Sequence, residues 1–156
     1  SEAAADGALA TFHAASLIFV VPIALWSDRL GSRKPVLMAS ALMIISGVGL
    51  LSFVGGMMVW VAVGMAGMVR DGFMGVFTTV ILETEGVGAS YAGTATGLVM
   101  LFSGLGRLVA PPLGNSLASY NLRLPFAFWA AMALLGLVVL FLIKEKKKRP
   151  PKTKLV

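Results

Sequence analysis

Apolar residues along this chain come in long blocks, not in alternation. Five blocks approach or exceed the about 20 residues that an α-helix needs to cross a bilayer. They cover 7–26, 35–55, 57–82, 92–113 and 124–143. Short polar connections separate them at 27–34, 83–91 and 114–123, with a tight Gly55–Gly56 turn between the second and third. So short a link forces those two blocks into an antiparallel hairpin. The pattern predicts an all-α, polytopic membrane helix bundle with five transmembrane helices over 1–143. A basic tail, KEKKKRPPKTKLV, fills 144–156. No stretch is left over for a water-soluble domain.

Composition agrees with that reading. Of 156 residues, 58% are hydrophobic and only 13% charged, and the mean hydropathy is +0.89. A soluble domain carries about 25% charged residues. Zero cysteines exclude disulfides and thiolate chemistry. With a single histidine besides, there is no metal-ligand set, and no cofactor is expected. The start shows no basic stretch leading into a short apolar core, so no signal peptide is predicted.

Lysine and arginine set the orientation. Adjacent connections of a multi-span chain lie on alternate sides. One side receives Arg29, Arg33, Lys34 and the seven bases of the tail, and the other receives only Arg123. The basic side is then cytoplasmic. This predicts an integral protein of the cell membrane with a cytoplasmic C-terminus. Ser1 falls outside, beside Glu2 and Asp6, which suggests an earlier helix upstream. The net charge of +6 comes mostly from the tail. Because that tail directly follows an apolar span, it reads as a topology signal that touches anionic lipid heads. Nucleic acid is not an expected partner.

Three charges fall inside the spans. Arg70 and Asp71 lie ~20 Å in from the outer end of the third, at 1.5 Å per residue, near the midplane. Arg107 lies in the outer half of the fourth. Ionisable groups in hydrocarbon are costly and normally face a cavity or a partner. A guanidinium suits a carboxylate or phosphate, which makes Arg70 a candidate anion ligand. Asp71 is then its counter-ion or a proton-coupling carboxylate. Neighbours on a helix point about 100° apart, so Asp71 can instead meet Arg107 across helices. The plainer alternative is an internal structural ion pair, with Arg107 snorkelling to the outer surface. His13, early in the first span, either titrates in a proton relay or hydrogen-bonds a neighbour. Pro22 is expected to kink the first span, and Pro111–Pro112 to end or bend the fourth. Gly93 and Gly97 form a small-xxx-small pair that lets helices approach closely.

The stretch WSDRLGSRKP at 26–35 is more specific. It resembles the signature of the major facilitator superfamily, Gly-x-x-x-Asp-Arg-x-Gly-Arg-Arg/Lys, found in the cytoplasmic loop after the second helix of each six-helix half. Asp28, Arg29, Gly31 and Arg33 match. Ala24 stands at the leading Gly position, and Ser32 at the first basic one. Four spans and a basic tail follow, as they do at the end of such a transporter. The resemblance thus covers the whole chain as helices eight to twelve, a partial fold of that family. It implies a missing N-terminal half of the same transporter as the partner of this bundle. It further implies that Asp28 accepts from the amides at a neighbouring helix N-terminus. It also implies that Arg33 pairs with an acid at the cytoplasmic end of the helix two along. Glu83 sits there, with Glu85 as a second candidate. Such a pair is a latch that closes the cytoplasmic side in one conformer.

The function expected is part of a secondary active transporter, not an enzyme. It moves a small solute by alternating access between two halves. The intramembrane arginines lean towards an anion, with H+ as a coupling ion. A membrane-embedded enzyme would need a nucleophile–base pair or a metal set that these spans lack. A non-transporting scaffold or assembly subunit is the alternative. It gives Arg70 and Asp71 no role.

Overall fold

The computed structural model of the protein describes residues 2–143, so the basic tail at 144–156 lies outside the described residues. Five long helices follow one another: α1 (Glu2–Leu30), α2 (Lys34–Leu50), α3 (Met58–Glu83), α4 (Gly88–Ser116) and α5 (Leu124–Leu142). A single 3₁₀ turn, Leu117–Ser119, extends α4. The architecture is an all-helical bundle. Four helices are long and apolar enough to cross a membrane, whereas α2 has 17 residues and is shorter.

The helix ends differ from the expected boundaries for local reasons. α1 continues past Trp26 to Leu30 because nothing between Pro22 and Gly31 breaks it. Ser27, Asp28 and Arg29 therefore sit in its last turns, and the connection shrinks to 31–33. Gly31 makes the stop: its φ of +63° is left-handed backbone that favours glycine. α2 ends at Leu50, not at 55. The Ser52 and Phe53 amides turn back onto Gly49 and Leu50, and Gly56 at φ +60° reverses the chain. α4 is longer than expected at both ends, and it runs through Pro111 and Pro112 to Ser116. The two prolines lack amide donors, yet they do not end the helix there.

The core forms where three helices meet. Facing positions on α1 and α3 ascend together: Gly7 meets Trp60, Phe12 meets Gly67, Ser16 meets Asp71 and Ile23 meets Gly72. The two helices are therefore parallel. α2 runs back on the other side of α3, barely touching α1, and its Gly47 abuts the backbone of Ala62 and Ala66. Buried Ile23, Val36, Leu37, Val69 and Val76 join these three elements. α5 lies against α2, while α4 touches α3 and α5 only lightly. Gly114 is the one buried residue of α4, against the Phe128 ring, and α5 has none. Leu101, Phe102 and Leu108 on α4, and Leu135 and Val139 on α5, are bare. Such surfaces suit a hydrocarbon solvent, which is as apolar as leucine.

Candidate functional site

Midway along α3, the chain carries a charged layer. Arg70 Nη1 lies 3.0 Å from Asp71 Oδ1, and the two side chains are 50% and 34% exposed. Residues adjacent on a helix diverge, so this pairing needs both side chains to bend toward one another. α1 supplies the reasons. The Arg70 guanidinium stands 5.8 Å from the centre of the Phe12 ring, a cation–π contact. One turn on, the fully buried Ser16 Oγ accepts the Asp71 backbone N–H at 3.1 Å. His13 is exposed and edge-on to its chain neighbour Phe12, centroids 5.6 Å apart. The structure thus brings Phe12 and Ser16 of α1 to Arg70 and Asp71, and the contacts among the described residues do not join His13 to either charge.

Arg107 stands apart from that group. It lies exposed on α4 and forms no ion pair among the described residues. The partner of Asp71 is its chain neighbour Arg70, not Arg107. α4 packs too lightly on α3 to bring Arg107 to that level, while Phe12 steers Arg70 across the helix surface.

A second charged cluster lies at the C-terminal end of α3, where α1 turns into α2. Arg33, just past the left-handed Gly31, turns its fork back into the bundle. Nη1 donates to Ser27 Oγ at 3.1 Å and also to the Asp28 carboxylate, while Nη2 lies 3.2 Å from Glu83 Oε1. Asp28 takes Arg33 from its own loop, not the amides of a neighbouring helix, because Gly31 folds the loop straight back over the last turn of α1. Arg29, on that same turn, is exposed. The hydrogen bond with Glu83 is the main cause that raises the Arg33 pKa above its ordinary value. Burial works against it, and Asp28 adds to the rise. Beside this cluster, Lys34 Nζ donates to the Phe141 carbonyl at 2.8 Å and to that of Ile143, and stands over the Phe141 ring. It caps the carbonyl end of α5, where a cation is favoured.

Four of these groups escape a reading of sequence alone: Phe12, Ser16, Ser27 and the cap made by Lys34. A weak signal exists for the serines. Phe12, Ser16, Ile23 and Ser27 fall at spacings of four, seven and four, one stripe along α1. Small polar residues on such a stripe mark a helix contact in a membrane.

The arrangement offers a guanidinium–carboxylate pair at mid-depth and an ion-paired clasp at one end of the same helix pair. A comparison with protein families finds one that spans almost the whole chain: the model described as Major Facilitator Superfamily matches residues 1–155. Comparisons with curated proteins and with solved structures give no match. The loop signature, the helical bundle and that near-complete match agree, and the chain belongs to the Major Facilitator Superfamily.

Proposed function

We propose that this membrane transporter of the major facilitator type moves a small anionic solute, with Arg70 as its ligand in the transport path. The observation that carries the reading is the mid-helix pair. Arg70 is half exposed, and among the described residues its one carboxylate partner is Asp71. A solute carboxylate or phosphate competes with Asp71 for the guanidinium, which binds such groups through two parallel hydrogen bonds. Asp71 then serves as the counter-ion that reclaims Arg70 after release. Taking up H+ at that carboxylate frees the guanidinium and couples proton to solute movement. His13, beside Phe12 on α1, is the second group able to carry that proton. Arg107 sits on another helix surface and has no part in this step.

The cytoplasmic cluster supplies the gate. Asp28, Arg29, Gly31 and Arg33 form the loop, and Glu83 is the acid it grips at the far end of α3. With Arg33 on Glu83 the cytoplasmic side is shut, and breaking that contact opens it. A second, N-terminal half of the transporter completes the cavity, with both halves rocking about the site. The bare apolar faces of α4 and α5 favour this reading. We place this transporter in the plasma membrane, with its C-terminus in the cytoplasm.

The test is uptake by the full-length transporter in proteoliposomes, using labelled mono- and dicarboxylates and inorganic phosphate. Arg70→Ala is expected to cut uptake of the transported anion at least tenfold, since one guanidinium–carboxylate contact is worth about 1.5–3 kcal/mol. Unchanged uptake across that panel removes Arg70 from the path.

A further inference from the structure

The Arg70–Asp71 pair is made by neighbours on one helix, and such neighbours point about 100° apart. Something outside α3 has to hold them together. Both supports come from α1 and lie one turn apart. The Phe12 ring stands 5.8 Å from the Arg70 guanidinium. The Ser16 hydroxyl takes the Asp71 N–H at 3.1 Å. A third feature fixes these two contacts in register. A Cβ on Gly67 would lie 2.5 Å from the Phe12 carbonyl oxygen, so the helix backbones touch there. Gly67 precedes Asp71 by one turn, as Phe12 precedes Ser16. Ser16 has 0% exposure, so its hydroxyl has no water to turn to.

We propose that Phe12 and Ser16 are positioning residues that hold Arg70 against Asp71. They act from α1 as a two-point cradle: an aromatic face under the guanidinium and a hydroxyl under the carboxylate's own backbone. Resting on the transport reading, the cradle sets how strongly Asp71 competes with an incoming anion for Arg70. It also ties the pair to the position of α1. A shift of α1 against α3 moves both supports at once and loosens the pair, so the ligand arginine is released by helix motion. The cradle therefore acts on anion affinity. Loosening it frees Arg70, lowering KM for the anion while leaving the maximal rate near its starting value.

Two measurements on the full-length transporter test this, one of which needs no substrate. Phenylglyoxal modifies free guanidinium groups. Its rate at Arg70, read by mass spectrometry, is compared with that at Arg107 and Arg33 in the same molecules. Ser16→Ala and Phe12→Leu are expected to speed modification of Arg70 by roughly three- to tenfold, the factor that loss of one hydrogen bond gives. Arg33 and Arg107 are expected to keep their rates, and Ser16→Thr to restore the slow rate at Arg70. An unchanged Arg70 rate overturns the proposal, and so does an equal rise at Arg33, which means general loosening of α1 from α3. Uptake of the labelled carboxylates and phosphate gives the second readout: Ser16→Ala lowers KM with little change in maximal rate. A raised KM overturns the proposed competition. If Arg70→Ala leaves uptake intact while the modification rates behave as stated, the cradle stands and the transport reading fails.

Discussion

Among the described residues Arg33 reaches three acceptors with one planar fork, and only arginine has that geometry. Ser27 and Asp28 hold one nitrogen while Glu83 holds the other. Its pKa is raised, first by Glu83. A base raised on folding gives stability that is complete below its unfolded pKa and is lost as pH rises through the raised value. For arginine that window opens above about pH 12, outside any transport assay. The Arg33–Glu83 ion pair therefore gains no alkaline limb from Arg33. Arg33→Lys changes this. A lysine ionises near about pH 10.4 and is a single point of charge without a fork. The variant is expected to melt at a temperature that falls between about pH 9 and 11 relative to the native transporter. Parallel melting curves through that range would show that the group at 33 holds nothing. The motif makes Asp28 and Arg33 legible in the sequence, and the family resemblance points to Glu83 as the acid two helices along. Ser27 is not legible, because a serine at a variable position of the motif becomes a ligand only once α1 runs on to Leu30.

At the scale of elements, the seam between α1 and α3 decides how firmly the site is held. Its close approach needs two glycines. A Cβ on Gly67 would strike the Phe12 backbone at 2.5 Å, and one on Gly72 would meet the Ile23 side chain at 2.8 Å. The backbone contact is the harsher, because a side chain can move and a helix carbonyl cannot. Gly64, three residues before Gly67, has no neighbour within 4 Å of such a Cβ. Gly67→Ala is expected to destabilise by about 1–3 kcal/mol through overpacking, a drop of roughly 2–10 °C in melting temperature. Gly64→Ala is expected to be neutral or stabilising by up to about 1 kcal/mol, since it removes a flexible residue from a helix interior. Thermal melts of both variants in one detergent make the comparison, and equal shifts for the two would dismiss the seam. Sequence shows that these glycines exist but not which of them face a partner. That depends on the register of α1 against α3, which no local pattern encodes.

Across the whole molecule, the apolar blocks and the loop signature made the helix count and the family legible, since both are local properties of the chain. The helix ends at Leu30 and Leu50 were less so, because glycines at 31 and 56 act through backbone conformation, which a hydropathy pattern does not register. The arrangement of the helices then constrains how the proposed gate can work. Glu83 ends α3, and Arg33 sits between α1 and α2, so their contact spans the pair of helices that also cradles Arg70 and Asp71. If opening at the cytoplasmic side requires that contact to part, a covalent link at the same two positions has to hold the transporter shut. The chain has no cysteine, so Arg33→Cys with Glu83→Cys introduces the sole thiol pair on this bundle. Oxidation by copper phenanthroline is expected to cut uptake of the labelled anion at least tenfold, and dithiothreitol to restore it. Each single variant should be indifferent to the oxidant. The same treatment should leave binding from the outer side measurable, because the midplane layer lies about 18 Å up α3 from the link at 1.5 Å per residue. Uptake that continues unchanged in the cross-linked protein would mean that these charges only fix which way the chain faces.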